Sequence, residues 1–208
     1  MKILAVSDEV VERLYSLCHN GHFSDVRLIL GCGDLPYNYL ENLLTLLNIP
    51  LFYIPGNHDP EYDPKNAFSR AEGGSNVDLK VIRHKKLLIC GFGGSIRYRA
   101  DGTNQYTQSE ANWRARQLLP LFLWNRFRYG RALDILITHS PPFGIHDEPT
   151  RAHQGLKAVN WLIHTARPRY HFHGHVHFQR GNLAASETVI EATKIVNVYP
   201  YKTIEIPD

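Results

Sequence analysis

Short runs of branched apolar residues, each cut off by a cluster of Asp, Asn, His and Gly, recur along this chain and constrain its architecture more than any other feature. The runs are Lys2–Val6, Val26–Leu30, Leu51–Ile54, Leu87–Cys90, Asp134–Thr138 and Tyr170–Phe172. Their length and their β-branched content predict buried strands. Between them lie helix-like stretches at Val10–Cys18, Tyr37–Leu47, Ser109–Trp124 and Gly155–Ala166. In the second of these, Tyr39, Leu40, Leu43, Leu44 and Leu47 recur at three- and four-residue steps, which marks one face of a helix. Strands alternating with helices predict the α/β class. Toward the C-terminus, Thr188–Ile190, Ile195–Val198 and Thr203–Ile206 read as paired strands with a turn near Pro200. Residues 60–78 and 93–108 read as long irregular loops, which in a compact domain are more often functional than decorative.

Composition narrows the class. The 208 residues are read as a single domain spanning 1–208, long enough to bury a core without disulfides. A net charge of +3, scattered along the chain, argues against a nucleic-acid partner. Cys18, Cys32 and Cys90 lack the spacing of a zinc site or a disulfide framework and predict free thiols in a reducing cytoplasm. The N-terminal apolar run Ile3–Val6 is too short for a signal peptide or a membrane span, so a cytoplasmic protein with no membrane partner is expected. Twelve histidines are the one unusual count, and they point to metal or proton chemistry.

The polar clusters fall just after the strands. Asp8 follows the first, Gly33-Asp34 the second and Gly56-Asn57-His58-Asp59 the third. Thr138-His139 ends the fifth, and Gly174-His175-Val176-His177 ends the sixth. Taken singly, Asp8 is an ordinary helix cap and Gly33-Asp34 an ordinary turn. Taken together they offer two carboxylates, an amide and three imidazoles at strand ends, where open α/β sheets bind ligands. With no thiolate, that set suits Mn, Fe, Ni or Zn, in preference to Mg with its nearly all-oxygen shells. Two ions about 3.5–4 Å apart that share one carboxylate form the arrangement used to clamp a transferring phosphoryl group.

In this order and spacing the motifs resemble the calcineurin-like metallophosphoesterase family, over residues 3 to 177. The resemblance implies an α/β fold, a β-sandwich of two mixed sheets flanked by helices, with the metal site at the strand ends. It implies that Asp34 bridges two divalent ions. Asn57, His139 and His175 would complete the shell of the second ion, and Asp8 and His177 would bind the first. It further implies that a metal-activated hydroxide attacks phosphorus while His58 assists the leaving oxygen and Asp59 orients the His58 imidazole. The substrate would be a small phosphate ester.

One motif departs from the family. Its histidine, two residues after the first Asp, is Val10 here, and valine cannot coordinate a metal. The first site then keeps Asp8, Asp34 and His177, with Glu9 a poor substitute one residue off. Outcomes from one ion to two, and from full turnover to none, stay open. A phosphate needs positive charge besides metal, and Arg97 and Arg99 are the candidates for substrate contact. The stretch His146 to His153 is placed at the rim of the cleft, and Trp113, Trp124 and Trp161 are assigned to the core. The rival readings are a binding or scaffold module that kept the fold and lost turnover, as in the retromer subunit similar to this family, and a nuclease. Association with a second copy is also open.

Overall fold

The computed structural model describes residues 1–178 and 186–207. The N-terminal half builds one sheet. Strand β1 (Lys2–Val6) pairs in parallel with β2 (Val26–Gly31), β2 with β3 (Leu51–Tyr53), and β3 with the short β4 (Ser75–Asn76). The last strand, β13 (Tyr201–Glu205), returns antiparallel to the free edge of β1, with Leu4 opposite Thr203. The second sheet runs β11 (Glu187–Ile190), β12 (Thr193–Asn197), β10 (Tyr170–His173), β9 (Ile135–Thr138), β6 (Leu87–Phe92) and β5 (Val81–His84). Its outer pairs, β11 with β12 and β5 with β6, are antiparallel, and the inner pairs are parallel. A parallel pair of two-residue strands, β7 (Ser95–Ile96) and β8 (Gln105–Tyr106), closes the loop after β6.

Strand alternation assigns each residue to a layer. Ile3, Ala5, Leu28, Leu30, Ile89, Ile135, Ile137, Phe172 and Val196 point between the two sheets and form a common core. Leu4, Val6 and Ile29, one residue out of phase, meet helices α1 (Arg13–His19) and α2 (Tyr37–Leu47). Leu88, Cys90 and Leu136 meet the second helical layer of α3 (Gln108–Arg116), α4 (Leu119–Tyr129) and α5 (Lys157–Ala166). The result is helix, sheet, sheet, helix, which is the expected sandwich of mixed sheets. Phe172 is fully buried at its centre. Phe172→Ala should lower unfolding stability by about 3–5 kcal/mol through lost burial and an unfilled cavity, read as a shift of the urea midpoint.

The helices differ from the sequence reading where local chemistry intervenes. Helix α2 has the expected ends, and Asn48 in the left-handed region stops it by bonding its amide to Leu44 O. The single helix expected over Ser109–Trp124 is two. Thr107 and Glu110 form a capping box that starts α3. Pro120 has no amide to donate, so it sits in the first turn of a new helix. The loops expected over residues 60–78 and 93–108 carry the three two-residue strands β4, β7 and β8, too short to leave a periodic signal.

Facing the helical layer, β10 carries a buried imidazole chain. Nε2 of His171 lies 2.8 Å from Thr138 Oγ1, and Nε2 of His173 lies 2.9 Å from Nδ1 of His146, whose Nε2 is 2.8 Å from Thr188 Oγ1. Burial pushes His171 down to about 3 and His146 down to about 4, from an ordinary value near 6.5. The unfolded chain therefore binds more protons than the folded one below pH 6.5. Stability from these two groups is full above pH 6.5 and falls as pH drops toward about 4. Urea titrations across that interval should show the loss, and His146→Asn should make it shallower by roughly one proton. Stability that is flat with pH would contradict this.

Candidate metal centre

Every sequence-predicted ligand sits just beyond the C-terminal end of a parallel strand. Asp8 follows β1, Asp34 follows β2 and Asn57 follows β3, while His139 follows β9 and His175 and His177 follow β10. Backbone bonds stitch neighbouring loops within each sheet, and the Asp8 side chain ties the two sheets together. The Asp8 amide donates to Gly33 O at 3.1 Å and the Gly174 amide to His139 O at 3.1 Å. The Asp8 carboxylate in turn accepts from the His175 amide at 3.0 Å. Asp8, Asp34 and His175 all take left-handed backbone, φ 65°, 55° and 70°, so the surrounding contacts hold three non-glycine residues in a costly conformation. Gly33, at φ 89°, allows the closest approach. A Cβ there would lie 2.7 Å from both Gly56 N and His139 Nδ1.

Four acceptor atoms converge on one point. Nε2 of His139 lies 3.1 Å from Asn57 Oδ1, 3.2 Å from Asp34 Oδ2 and 3.1 Å from His175 Nδ1. The other ring nitrogens fix the tautomers: His139 Nδ1 donates to Cys32 O at 2.9 Å, and His175 Nε2 donates to Ala152 O at 2.8 Å. In their neutral forms both imidazoles therefore aim lone pairs at the carboxylate and at each other. Two oxygens and two nitrogens facing inward need a positive charge between them. A proton on His139 is one answer: burial alone would lower it, but the Asp34 charge raises it to about 10. A divalent cation is the other, and the oxygen-and-imidazole donor set is one that transition ions and zinc accept. Among the described residues, Asp34, His139 and His175 are the only three carboxylate, thiol or imidazole groups with donor atoms all within 4.8 Å of one another.

The first site is thinner. His177 Nε2 is 3.5 Å from Asp8 Oδ1, and this bond raises the His177 pKa and opposes the effect of burial on Asp8. His177 is half-exposed and stacked on Tyr199, ring centroids 4.2 Å apart and planes 8° from parallel. Tyr199 in turn donates to Glu9 Oε2 at 2.7 Å. Val10 is exposed.

His58 and Asp59 separate in role. The His58 side chain is exposed and touches both recesses that open beside the acceptor cluster. One, a cleft of about 600 Å³, is lined by Asp34, Tyr37, Asn38 and Phe68 among others. The other is lined by Asn57, Tyr98 and Arg99. Asp59 was expected to orient the His58 imidazole. Instead its Oδ2 accepts from the amides of Asp34, at 2.9 Å, and Gly56, at 2.7 Å, so it braces the loop that carries Asp34. Burial pushes its carboxyl up to about 6.

The arginines also separate. Arg97 is held by Glu110 at 3.0 Å and by the Gln105 carbonyl at 3.1 Å, so it fastens β7 to β8. Arg99 lines the recess beside His58. His153, expected at the rim, has its ring 5.6 Å from that of His175. Sequence reasoning missed Asn104, which bonds Gly56 O at 3.1 Å and Asp59 O at 3.2 Å, and Tyr98, whose hydroxyl accepts from Asn57 Nδ2 at 3.2 Å. Neither lies in a motif, and both reach the site from more than 40 residues away in sequence.

The calcineurin-like phosphoesterase family model matches residues 1–179. The chain belongs to the calcineurin-like phosphoesterase family. Among curated relatives, a UPF0046 protein of Caenorhabditis elegans is 25% identical over 98% of this chain and 77% of its own. An uncharacterized protein of Methanocaldococcus jannaschii is 24% identical over 98% of this chain and 92% of its own. A solved structure superposes with a TM-score of 0.65 at 14% identity, covering 98% of this chain and 94% of its own, a likeness of fold alone. The family uses divalent metals, and the acceptor cluster is where this chain could hold one. No helix among the described residues is long and apolar enough to cross a membrane.

Proposed function

We propose that this phosphoesterase is a metal-dependent hydrolase of a small phosphomonoester or phosphodiester, working in the cytoplasm with Mn, Fe, Ni or Zn. The observation that carries the reading is the inward convergence of Asp34, Asn57, His139 and His175 beside a cleft on which His58 stands. Those four residues would hold one ion, and Asp34 with Asp8 and His177 would hold a second. A divalent ion supplies charge stabilisation at the phosphoryl group and an acidified water. The chain supplies the rest. Arg99, which lines the recess beside His58, would grip a phosphate oxygen, and the exposed His58 would give a proton to the leaving oxygen. The cleft lined by Tyr37, Asn38 and Phe68 offers room for the ester group. Three buried free thiols support a reducing compartment.

Hydrolysis of para-nitrophenyl phosphate and its bis ester, by metal-free protein with each ion added in turn, tests the reading. Metal-dependent release of nitrophenol is expected, and the mono-to-diester ratio narrows the substrate class. A folded protein inactive with every ion would favour the binding-module reading, which rests on Val10. Val10→His should raise the number of ions bound per chain and the affinity of the weaker one. Unchanged stoichiometry by metal analysis would mean the first site is not built around Asp8 and His177.

A further inference from the structure

Helix α4 turns its apolar face to solvent. The sequence reading assigned Trp113, Trp124 and Trp161 to the core, and the structure buries only Trp161 in part. Trp113 is 69% and Trp124 is 60% exposed. In α4 the inward face is taken by Phe122 and Asn125, the latter bonding Ala132 O at 3.1 Å. That leaves Leu123, Trp124 and Phe127 outward, at 54%, 60% and 84% exposure, with the two aromatic rings 6.0 Å apart. A helix of this kind is inverted relative to an ordinary surface helix, whose polar residues face water. Exposed large apolar side chains grouped on one element mark a contact surface.

Charge selects the occupant. Residues 111–133 contain five arginines and no Asp or Glu, in a chain whose net charge is only +3. Arg114 is paired with Asp78 and Arg131 with Asp134. Arg116, Arg126 and Arg128 are exposed and form no ion pair among the described residues. Arg126 bonds a backbone carbonyl, that of Thr165, and so keeps its charge. In α4 itself, Arg126 and Arg128 fall on either side of Phe127. A second copy on this face would set arginines against arginines, with no carboxylate from the same segment between them. The complementary surface is anionic. Leu123, Trp124 and Phe127 are exposed on one helix, with the exposed Arg126 and Arg128 next to Phe127 in sequence, a combination that suits insertion at the headgroup level of a bilayer.

We propose that α4 docks this protein peripherally on an anionic phospholipid surface, through Leu123, Trp124 and Phe127 and the charges of Arg116, Arg126 and Arg128. The absence of a membrane partner expected from the sequence concerned spanning segments and leaves such contact untouched. The proposal is independent of the phosphoesterase reading, because none of these residues lines the recesses beside His58.

Co-sedimentation of the full chain with phosphatidylcholine vesicles, with and without phosphatidylglycerol, tests it. Binding to the anionic vesicles is expected, weakening as salt is raised. Trp124→Ser/Phe127→Ser should weaken that binding by about tenfold or more. Arg116→Gln/Arg128→Gln, which leaves the apolar side chains intact, should also weaken it and reduce its salt dependence. Failure to bind anionic vesicles, or equal binding to neutral ones, would overturn the proposal. So would a dimer in sedimentation equilibrium that Trp124→Ser/Phe127→Ser dissolves, since a second copy would then be the occupant. Equal binding by wild type and both variants would overturn it as well.

Discussion

Asp34→Asn is expected to abolish metal-dependent ester hydrolysis, lowering kcat by about 10³-fold or more, the several kcal/mol that a metal ion contributes. The expectation follows from position. Asp34 is the charged member of the converging set, and its carboxyl is held down to about 2, burial notwithstanding, by the charge and hydrogen bond of His139. Its second oxygen accepts from the His58 amide at 2.7 Å, so the same carboxylate ties the cluster to the residue proposed to meet substrate. The isosteric amide keeps that bond and the packing around Gly56, so the fold should survive while the charge is lost. Metal analysis should show the affinity of the cluster sharply reduced. An Asp34→Asn protein that binds metal and turns over like the wild type would remove Asp34 from the site.

His58→Ala should separate binding from chemistry. The side chain is exposed, faces both recesses and takes no part in the converging set. Metal content should therefore be unchanged while turnover falls by roughly 10²-fold or more, the usual contribution of a positioned proton donor. The loss should be larger for esters with poor leaving groups than for para-nitrophenyl esters, which leave without help. A variant that loses metal instead would make His58 a ligand. Asp59→Ala gives a useful contrast. Because Asp59 braces the Asp34 and Gly56 amides, its loss should weaken metal binding more than it slows the leaving-group step.

How much of this was legible in the sequence depends on how local each signal is. Asp8, Asp34, Asn57, His139, His175 and His177 could be read because each stands where an apolar run stops, and parallel strands carry those stops to one edge of the sandwich. The bounds of α2 were legible because its apolar face and its Asn48 stop are both local. The β13 pairing was not: Thr203–Ile206 looks like a partner for the strands before it, yet it crosses to β1 in the other sheet. The partners of Asp59 and Arg97 were not legible for the same reason. Their sequence neighbours suggest His58 and a phosphate, whereas the folded chain offers the Asp34 amide, Glu110 and the Gln105 carbonyl. The tryptophans of α3 and α4 were placed inside on hydrophobicity alone, but Asn125 and Phe122 already fill the inward face of α4.

Everything proposed for catalysis depends on Asp34, Asn57, His139 and His175 binding a divalent cation. Calorimetric titration of metal-stripped protein with Mn, alongside Asp34→Asn, tests it most directly. At least one saturable site per chain is expected in the wild type, and loss or marked weakening of that site in the variant. No saturable heat with Mn or Zn, or the same isotherm for both proteins, would contradict it.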